Sequence, residues 1–261
     1  MLITLTTDFA PKDPFVGIMK GVICGIHPAA RVVDLSHGLP PQDVMAAALI
    51  LKHSAPYFPR ASIHVAVVDP GVGSARRPIL IASGGNYFVG PDNGVLSLAV
   101  GPDPPARIFH LSNPTYYLRP TSATFHGRDI FAPVAAHLAL GISPEAFGES
   151  LDRFVRIPWP RVAASELGIE GEILYIDGFG NLFTNIREPE LIALPKKNLV
   201  VCVGELVIRG IARSYSEREP GDYVALINSW GLLEIAMNQG SAQQGCRAKR
   251  GDKVKIRVNP Q

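Results

Sequence analysis

Three segments place an aspartate where an apolar, strand-like run ends: TTDF with Asp8, VVDLSHG with Asp34 and VVDPGVG with Asp69. In open α/β sheets ligands bind beyond the carboxyl ends of the strands, so the three acids are expected to ring one cleft. Aspartate is also a common turn and capping residue after a strand, which gives each of them an ordinary explanation when taken alone. The segment Asp69-Pro-Gly-Val-Gly-Ser-Ala-Arg-Arg adds two glycines and the guanidinium groups of Arg76 and Arg77 to its carboxylate. It lacks the third glycine of a dinucleotide fingerprint and the lysine of a P-loop, so it does not read as a phosphate cradle. His126, in Thr-Phe-His-Gly-Arg-Asp just before a helical pattern, can project an imidazole into the same cleft or serve packing. The seven histidines show no HxH, HxxxH or HExxH spacing, and no metal site is expected.

Two turns in the second half carry polar side chains beside an aromatic: Tyr-Ile-Asp-Gly-Phe-Gly-Asn (175–181) and Asn-Ser-Trp-Gly (228–231). One reading is a pair of hairpin turns in which Asp177 and Asn181 satisfy backbone groups. The other is a purine clamp, with Phe179 or Trp230 as stacking face and the Asn181 amide both donating to and accepting from an adenine edge. Spacing alone leaves both open.

The elements that must position these groups alternate between strands and helices over the first 160 residues. Leu2–Thr7 reads as a buried strand. Asp13 is expected to cap a helix with Pro14 in its first turn and Phe15, Ile18, Val22 and Ile23 on its apolar face. Strands are expected at 31–35, 63–68, 78–82 and 87–89, a helix from about Pro41 to Leu51, and another over 129–140 stopped by Gly141. After a linker-like IPWP (157–160), the pattern changes to closely spaced short strands without helices between them: 171–176, 199–203, 206–211, 223–227, 232–236 and 254–258. The fold class expected is α/β: an N-terminal α/β domain (1–160) with a mostly parallel central sheet, plus a smaller C-terminal all-β, barrel-like domain (161–261).

Composition fits that reading. The chain has 261 residues, 47% hydrophobic and only 18% charged, against a usual charged share of about 25%, which excludes a disordered chain. With 25 basic and 23 acidic side chains there is no broad field for nucleic acid or an anionic membrane. Asp222 and the basic segment around Arg247–Lys255 read as solvated surface. The three cysteines, Cys24, Cys202 and Cys246, lie far apart without a CxxC, which suits a reducing cytoplasm rather than a disulfide framework. The longest apolar stretch, Val44–Leu51, falls far short of the ~18 residues a membrane span needs, and the N-terminus shows no leader pattern.

Seven blocks in order, TTDFAPKDPFVGIMKG, VVDLSHGLPPQD, VVDPGVGSARR, VGPDNGVL, TFHGRDIFAPVAAHLA, YIDGFGNLFTNI and INSWGLLEIAMNQGSA, span nearly the whole chain. Together they resemble the S-adenosylmethionine hydroxide adenosyltransferases, relatives in fold of the fluorinating and chlorinating enzymes. The resemblance implies S-adenosylmethionine plus water giving adenosine plus methionine, with no metal or redox cofactor. It also implies a homotrimer whose substrate lies between the N-terminal domain of one subunit and the barrel of its neighbour. Carried over by motif, Asp69, Arg76 and His126 are the water-activating trio, Asp8 holds the ribose hydroxyls, and Asn181 reads the adenine. Asp13, Asp177, Ser229 and Glu234 fall in blocks around the methionine part. Two departures stand out: Ala10 replaces a frequent glycine, and Trp230 stands where halogenating relatives carry arginine, which touches how the methionine carboxylate is held. Those relatives do not keep the trio, so water rather than halide is the expected nucleophile. Some family members prefer the sulfonium epimer that methyltransferases do not use. The alternatives are a ligand-binding sensor without turnover, which has no use for the trio, and a halide-using transferase.

Overall fold

The computed structural model describes residues 1–101, 105–165, 168–192 and 199–258, which divide into two compact units, Met1–Ile157 and Pro158–Gln261. In the first unit the order is β1 (Leu2–Thr7), α1 (Phe15–Ile26), β2 (Arg31–Ser36), α2 (Val44–Ser54), β3 (Ile63–Val67), β4 (Pro78–Ser83), β5 (Asn86–Pro91), β6 (Arg107–His110), a π-helical turn (Gly127–Phe131) running into α3 (Ala132–Ala139), and β7 (Ser150–Leu151). The sheet order is β2-β1-β3-β5-β4-β6-β7. β2, β1, β3 and β5 pair in parallel and the remaining pairs are antiparallel, so five of the seven strands share one direction. β1 and β3 are buried almost throughout because helices cover both faces of the sheet. On one face α1 and α3 pack Met19, Ile23, Val134 and Leu138 against Ile3, Leu5, Val65 and Val67. The core-facing residues Ala46–Leu51 belong to α2. Each large apolar side chain so enclosed contributes about 1.5–3 kcal/mol.

The second unit comprises β8 (Ala163–Ser165), β9 (Gly168–Ile176), β10 (Leu182–Arg187), α4 (Glu188–Ile192), β11 (Leu199–Val203), β12 (Leu206–Arg209), β13 (Tyr223–Ile227), β14 (Leu232–Met237), α5 (Ala242–Cys246) and β15 (Lys253–Val258). Its strands follow the antiparallel path β12-β11-β15-β9-β10-β14-β13, with β8 added beside β9. Just after β12, the Ala212 N–H donates to the Ala225 carbonyl on β13 at 2.8 Å, so the two ends of the path nearly meet as a barrel around Ile173, Leu182, Val201, Leu233 and Ile256. The mostly parallel sheet and the barrel-like sheet agree with the fold class read from the sequence.

Local readings need correction. Asp13 does not cap α1. Pro14 occupies the cap position without a side-chain hydrogen bond, and the buried face is Met19 and Ile23, while Phe15 and Ile18 are exposed. α2 starts at Val44, three residues later than expected, because Asp43 is the residue whose side chain accepts the Ala46 N–H. The expected helix over 129–140 opens as the π turn and is α-helical only from Ala132; Gly141 follows it at φ 95°. β6, β7 and β8 lie outside the strands expected from the sequence, whereas β10 pairs antiparallel with β9 as the second arm of the hairpin read at 175–181. Among the described residues, no helix is long and apolar enough to cross a membrane.

Two histidines, His64 buried and His53 half-buried, couple the fold to pH. His64 on β3 is fully buried, stacks on Phe88 at 5.2 Å, and lies 2.9 Å from the Thr4 hydroxyl through Nδ1. Burial pushes its pKa down to about 4, and burial with the nearby Lys52 charge does the same for His53, both from an ordinary 6.5. When the folded-state pKa is lowered, the unfolded chain takes the proton first. Stability is therefore whole above pH 6.5 and is lost as the pH falls toward 4. His64 alone is expected to contribute a loss on the order of 3 kcal/mol. Urea midpoints should fall between pH 7.5 and 4.5, and an NMR titration showing His64 protonated at pH 6 would contradict this account.

Candidate active site

Asp69 sits just beyond β3, at the carboxyl end of a strand in the middle of the parallel set. The chain then folds tightly back: the Val72 N–H donates to the Asp69 carbonyl, the Ser74 N–H and hydroxyl both donate to the Gly71 carbonyl, and the Arg76 N–H donates to Ser74 Oγ. This turn returns the Arg76 guanidinium over the Asp69 carboxylate. Nε donates to Oδ1 at 2.9 Å and Nη2 to Oδ2, the two-pronged arrangement that matches guanidinium to carboxylate. Both side chains are more than nine-tenths buried, at 9% and 5% exposed. Nη2 also lies 2.6 Å from Nδ1 of His126, the Phe131 ring centroid is 5.5 Å from the guanidinium carbon, and Nη1 is buried with no hydrogen-bond partner among the described residues.

A guanidinium has only donors, so Nδ1 of His126 must accept and the ring must be neutral with its proton on Nε2. The electrostatics agree. Burial first and the Arg76 charge second hold the His126 pKa below its ordinary value, against the opposing pull of Asp69 and Asp129. His126 is the residue from which the π turn springs, and this turn aims its ring across the gap to the 69–77 loop.

These groups face a cleft of about 480 Å³ within the first unit, lined by Asp8, Asp13, Asp69 and His126 together with Phe9, Phe15 and Phe125. Arg76 is not part of the lining and stands behind Asp69 and His126. The three phenylalanines form a cluster with ring centroids 5.3–5.8 Å apart. Asp8, just past β1, accepts the Gln42 N–H through Oδ2 at 2.8 Å. Asp34 does not join this ring of acids: it lies within β2 rather than at its end and pairs with Lys20 at 2.6 Å and His37 at 3.0 Å. Arg77 turns the other way, to the buried Asp92 carboxylate.

The second unit has its own cleft, of about 910 Å³, whose lining includes Asp177, Phe179, Asn181, Ser229 and Glu234. Asp177 performs the turn work foreseen for it: Oδ1 accepts the N–H groups of Phe179 and Asn181, both at 2.9 Å, and Oδ2 accepts the Asn181 side-chain amide at 3.1 Å. Phe179 projects from the turn 79% exposed. Glu234 is buried and receives the Tyr215 hydroxyl at 2.8 Å and the Asn228 amide at 3.1 Å. Burial raises its pKa, and the Asp177 charge adds to that, while the two hydrogen bonds oppose it. Trp230 does not line this cleft; it stacks on Tyr175 at 5.7 Å and meets Phe183 edge-on at 4.9 Å.

Comparison with known proteins identifies the family. The family model for the SAM hydroxide adenosyltransferase N-terminal domain matches residues 3–148, and that for the C-terminal domain matches residues 171–255. The chain belongs to the SAM hydroxide adenosyltransferase family. It is 42% identical to the (R)-S-adenosyl-L-methionine hydrolase of Thermus thermophilus, with 96% of this chain and 97% of the relative covered. It is 40% identical to the protein of the same name from Salinispora arenicola, with 97% of each covered. A fluorinase from Actinoplanes is more distant, 25% identical with 98% of this chain and 97% of the relative covered. The crystal structure of an uncharacterized conserved protein from Thermotoga maritima superimposes with a TM-score of 0.89 at 33% identity, covering 98% of this chain and 99% of that one.

Within this hydroxide adenosyltransferase the two clefts contain residues that motif reading passed over. Phe9 and Phe125 lie inside the quoted blocks, next to Asp8 and His126, yet an isolated phenylalanine carries no sequence signal that it lines a cleft. Gln42, in a left-handed backbone conformation at φ 64°, holds Asp8 through its N–H. Tyr215 and Asn228 hold Glu234. Among the described residues, no three His, Cys, Asp or Glu side chains gather in a group that could hold a metal ion. The His126 geometry is directly checkable. At pH 7, ¹⁵N NMR should show a neutral ring protonated on Nε2, and Arg76→Met should raise its pKa by removing the adjacent positive charge. A charged imidazole at pH 7, or no rise in the variant, would contradict the Arg76–His126 contact.

Proposed function

We propose that this hydroxide adenosyltransferase hydrolyses S-adenosylmethionine to adenosine and methionine, with Asp69, Arg76 and His126 activating the attacking water. The observation that carries the reading is the single guanidinium that binds the Asp69 carboxylate and the His126 imidazole at once, behind the wall of a cleft. A sensor without turnover has no need of such a buried pair, whose assembly carries a desolvation penalty.

Water is a weak nucleophile at neutral pH and needs a base within about 3 Å. An ionised carboxylate offers about four lone-pair sites. Arg76 takes two on Asp69 and leaves the others for a water proton. His126, whose Nδ1 is occupied by Arg76, presents Nε2–H and orients the water as a donor. The assignment of proton acceptance therefore falls to Asp69. In the displacement the water oxygen bonds to C5′, the C5′–S bond breaks, its electron pair stays on sulfur as a neutral thioether, and the water proton passes to Asp69 and then to solvent. As Asp69 takes the proton the water becomes hydroxide-like, and it and the sulfonium lose opposite charge as they meet, so a dry cleft favours the transition state over the separated ions. The leaving group is neutral and needs no metal.

Asp8 is assigned to the ribose hydroxyls, Asn181 and Phe179 to the adenine, and Asp13, Asp177, Ser229 and Glu234 to the methionine part and its surroundings, while Trp230, stacked on Tyr175 away from the cleft, takes no part. The names of the Thermus and Salinispora relatives support the R-sulfonium epimer as substrate. A homotrimer, pairing the first cleft of one subunit with the barrel cleft of its neighbour, is part of the same reading, as is a cytoplasmic location, which suits three free cysteines.

Asp69→Ala is expected to lower kcat by at least about 10²-fold, and to lower stability as well because it leaves the buried Arg76 guanidinium without its carboxylate. In H₂¹⁸O the label should appear in the adenosine 5′-hydroxyl, and a C5′-chiral substrate should react with inversion. Unlabelled adenosine, retention at C5′, or undiminished turnover by Asp69→Ala would each sink the mechanism, and intact S-adenosylmethionine after long incubation of both epimers would sink the reaction.

A further inference from the structure

The Arg76–His126 contact joins two loops 50 residues apart in sequence, and such a contact can orient a reacting group only if the loops themselves are fixed. The loop leading into His126 is anchored by a residue outside the cleft. Asp129 is fully buried. Its Oδ2 accepts the Ser122 N–H at 2.8 Å and Arg128 Nη2 at 2.9 Å, its Oδ1 accepts Arg128 Nε at 2.6 Å, and its carbonyl accepts the Leu118 N–H at 2.9 Å. One side chain and its own backbone thus tie both ends of the 118–122 segment to the π turn. The next residue, Ala123, lies against the other loop: a Cβ added at Gly73 would stand 2.4 Å from the Ala123 carbonyl oxygen, and Gly73 has φ +76°. Only glycine combines that conformation with that approach.

From these contacts we infer that Asp129 and Gly73 are positioning residues for water activation. Asp129 fixes the loop before His126, and Gly73 lets the 69–77 loop close on it, so that Arg76 reaches Nδ1. The inference rests on the trio reading above and goes one step beyond it. Neither residue lines the cleft, and neither belongs to the trio.

The test uses the full-length protein. Gly73→Ala forces the two loops apart, and Asp129→Asn keeps the shape and one acceptor for Ser122 while removing the charge that holds Arg128. Each is expected to lower kcat by about tenfold or more while KM stays within about threefold, because alignment rather than binding is lost. In Gly73→Ala the His126 pKa should also rise, since the guanidinium beside it withdraws; the other charges that act on the ring, Asp69 and Asp129, are unchanged in number. A fall in stability alone would leave kcat and that titration where they are. Wild-type kcat in both variants, an effect confined to KM, or a lowered kcat in Gly73→Ala with an unmoved His126 titration would each overturn the inference. If Gly73→Ala does not fold, the kcat and KM of Asp129→Asn decide it. Asp69→Ala separates the two levels: if it stays active, the trio reading fails, whereas an inactive Asp69→Ala beside unaffected positioning variants sinks only this inference.

Discussion

One guanidinium in this protein has to satisfy a carboxylate and an imidazole together, almost out of contact with water. Burying either charge alone would cost several kcal/mol. Arg76 and Asp69 tolerate more than nine-tenths burial because the two prongs of one match the two oxygens of the other. The remaining reach of Nη2 to His126 then fixes which ring nitrogen is bare. Protonation of His126 at Nδ1 would point an N–H at an N–H, so the contact and the charged imidazole exclude each other. The contact therefore adds to burial in holding the His126 pKa down, and any loop movement that loosens it also changes the acid–base character of the ring.

The sheet supplies the frame for this contact. β1 and β3 are parallel neighbours, so Asp8 and Asp69, each just beyond its strand, emerge on the same edge. Helices on both faces keep these strands buried and stiff, and the polar work is left to the loops at their ends. The π turn does the same for His126. Such a turn admits one residue more than an α-helix in the same span and is frequent at functional sites; here it lets the chain present His126 toward one loop while Asp129, three residues on, holds another.

How far the sequence disclosed this depended on how local the causes were. β1, β11 and β13 were read to the residue because each is a short apolar run bounded by turn formers. β10 is signalled only by the hairpin turn before it, because its own residues do not look like a strand: Thr184 and Asn185 are polar and yet fully buried. Asn185 is there to repair the ladder. Its Oδ1 accepts the Glu172 N–H at 2.7 Å and its Nδ2 donates to the carbonyls of Pro160 and Arg161, where the pairing of β9 with β10 slips. No periodicity signals such a role. Asp13 looked like a helix cap and Asp43 did not, although the second is the one that caps: α1 starts at Phe15, so Pro14 takes the cap position and Asp13 lies one residue before it. Among the site residues, Asp8, Asp69, Arg76, His126 and Asn181 were visible through their chemistry, while Gln42, Phe9, Phe125 and Asp129, inside the same motif blocks, owe their parts to contacts with distant segments. Asp34 shows the converse, a motif aspartate whose nearest basic groups, Lys20 and His37, keep it on the outer strand.

The charge balance of the first cleft bears on the proposed reaction as a whole. Arg76 and Asp69 cancel as a pair and His126 is neutral, so the uncompensated charges among the lining residues are the carboxylates of Asp8 and Asp13. A cleft with that balance and three aromatic rings attracts a cation through both Coulomb and ring-quadrupole forces. A sulfonium substrate is such a cation, and it ceases to be one when its C5′–S bond breaks. The attraction that helps bring the substrate in is therefore lost for the neutral thioether and the uncharged nucleoside, which favours release after each turnover. The trio gains from the same arrangement: with its own charges paired, it neither repels the incoming cation nor holds the departing products.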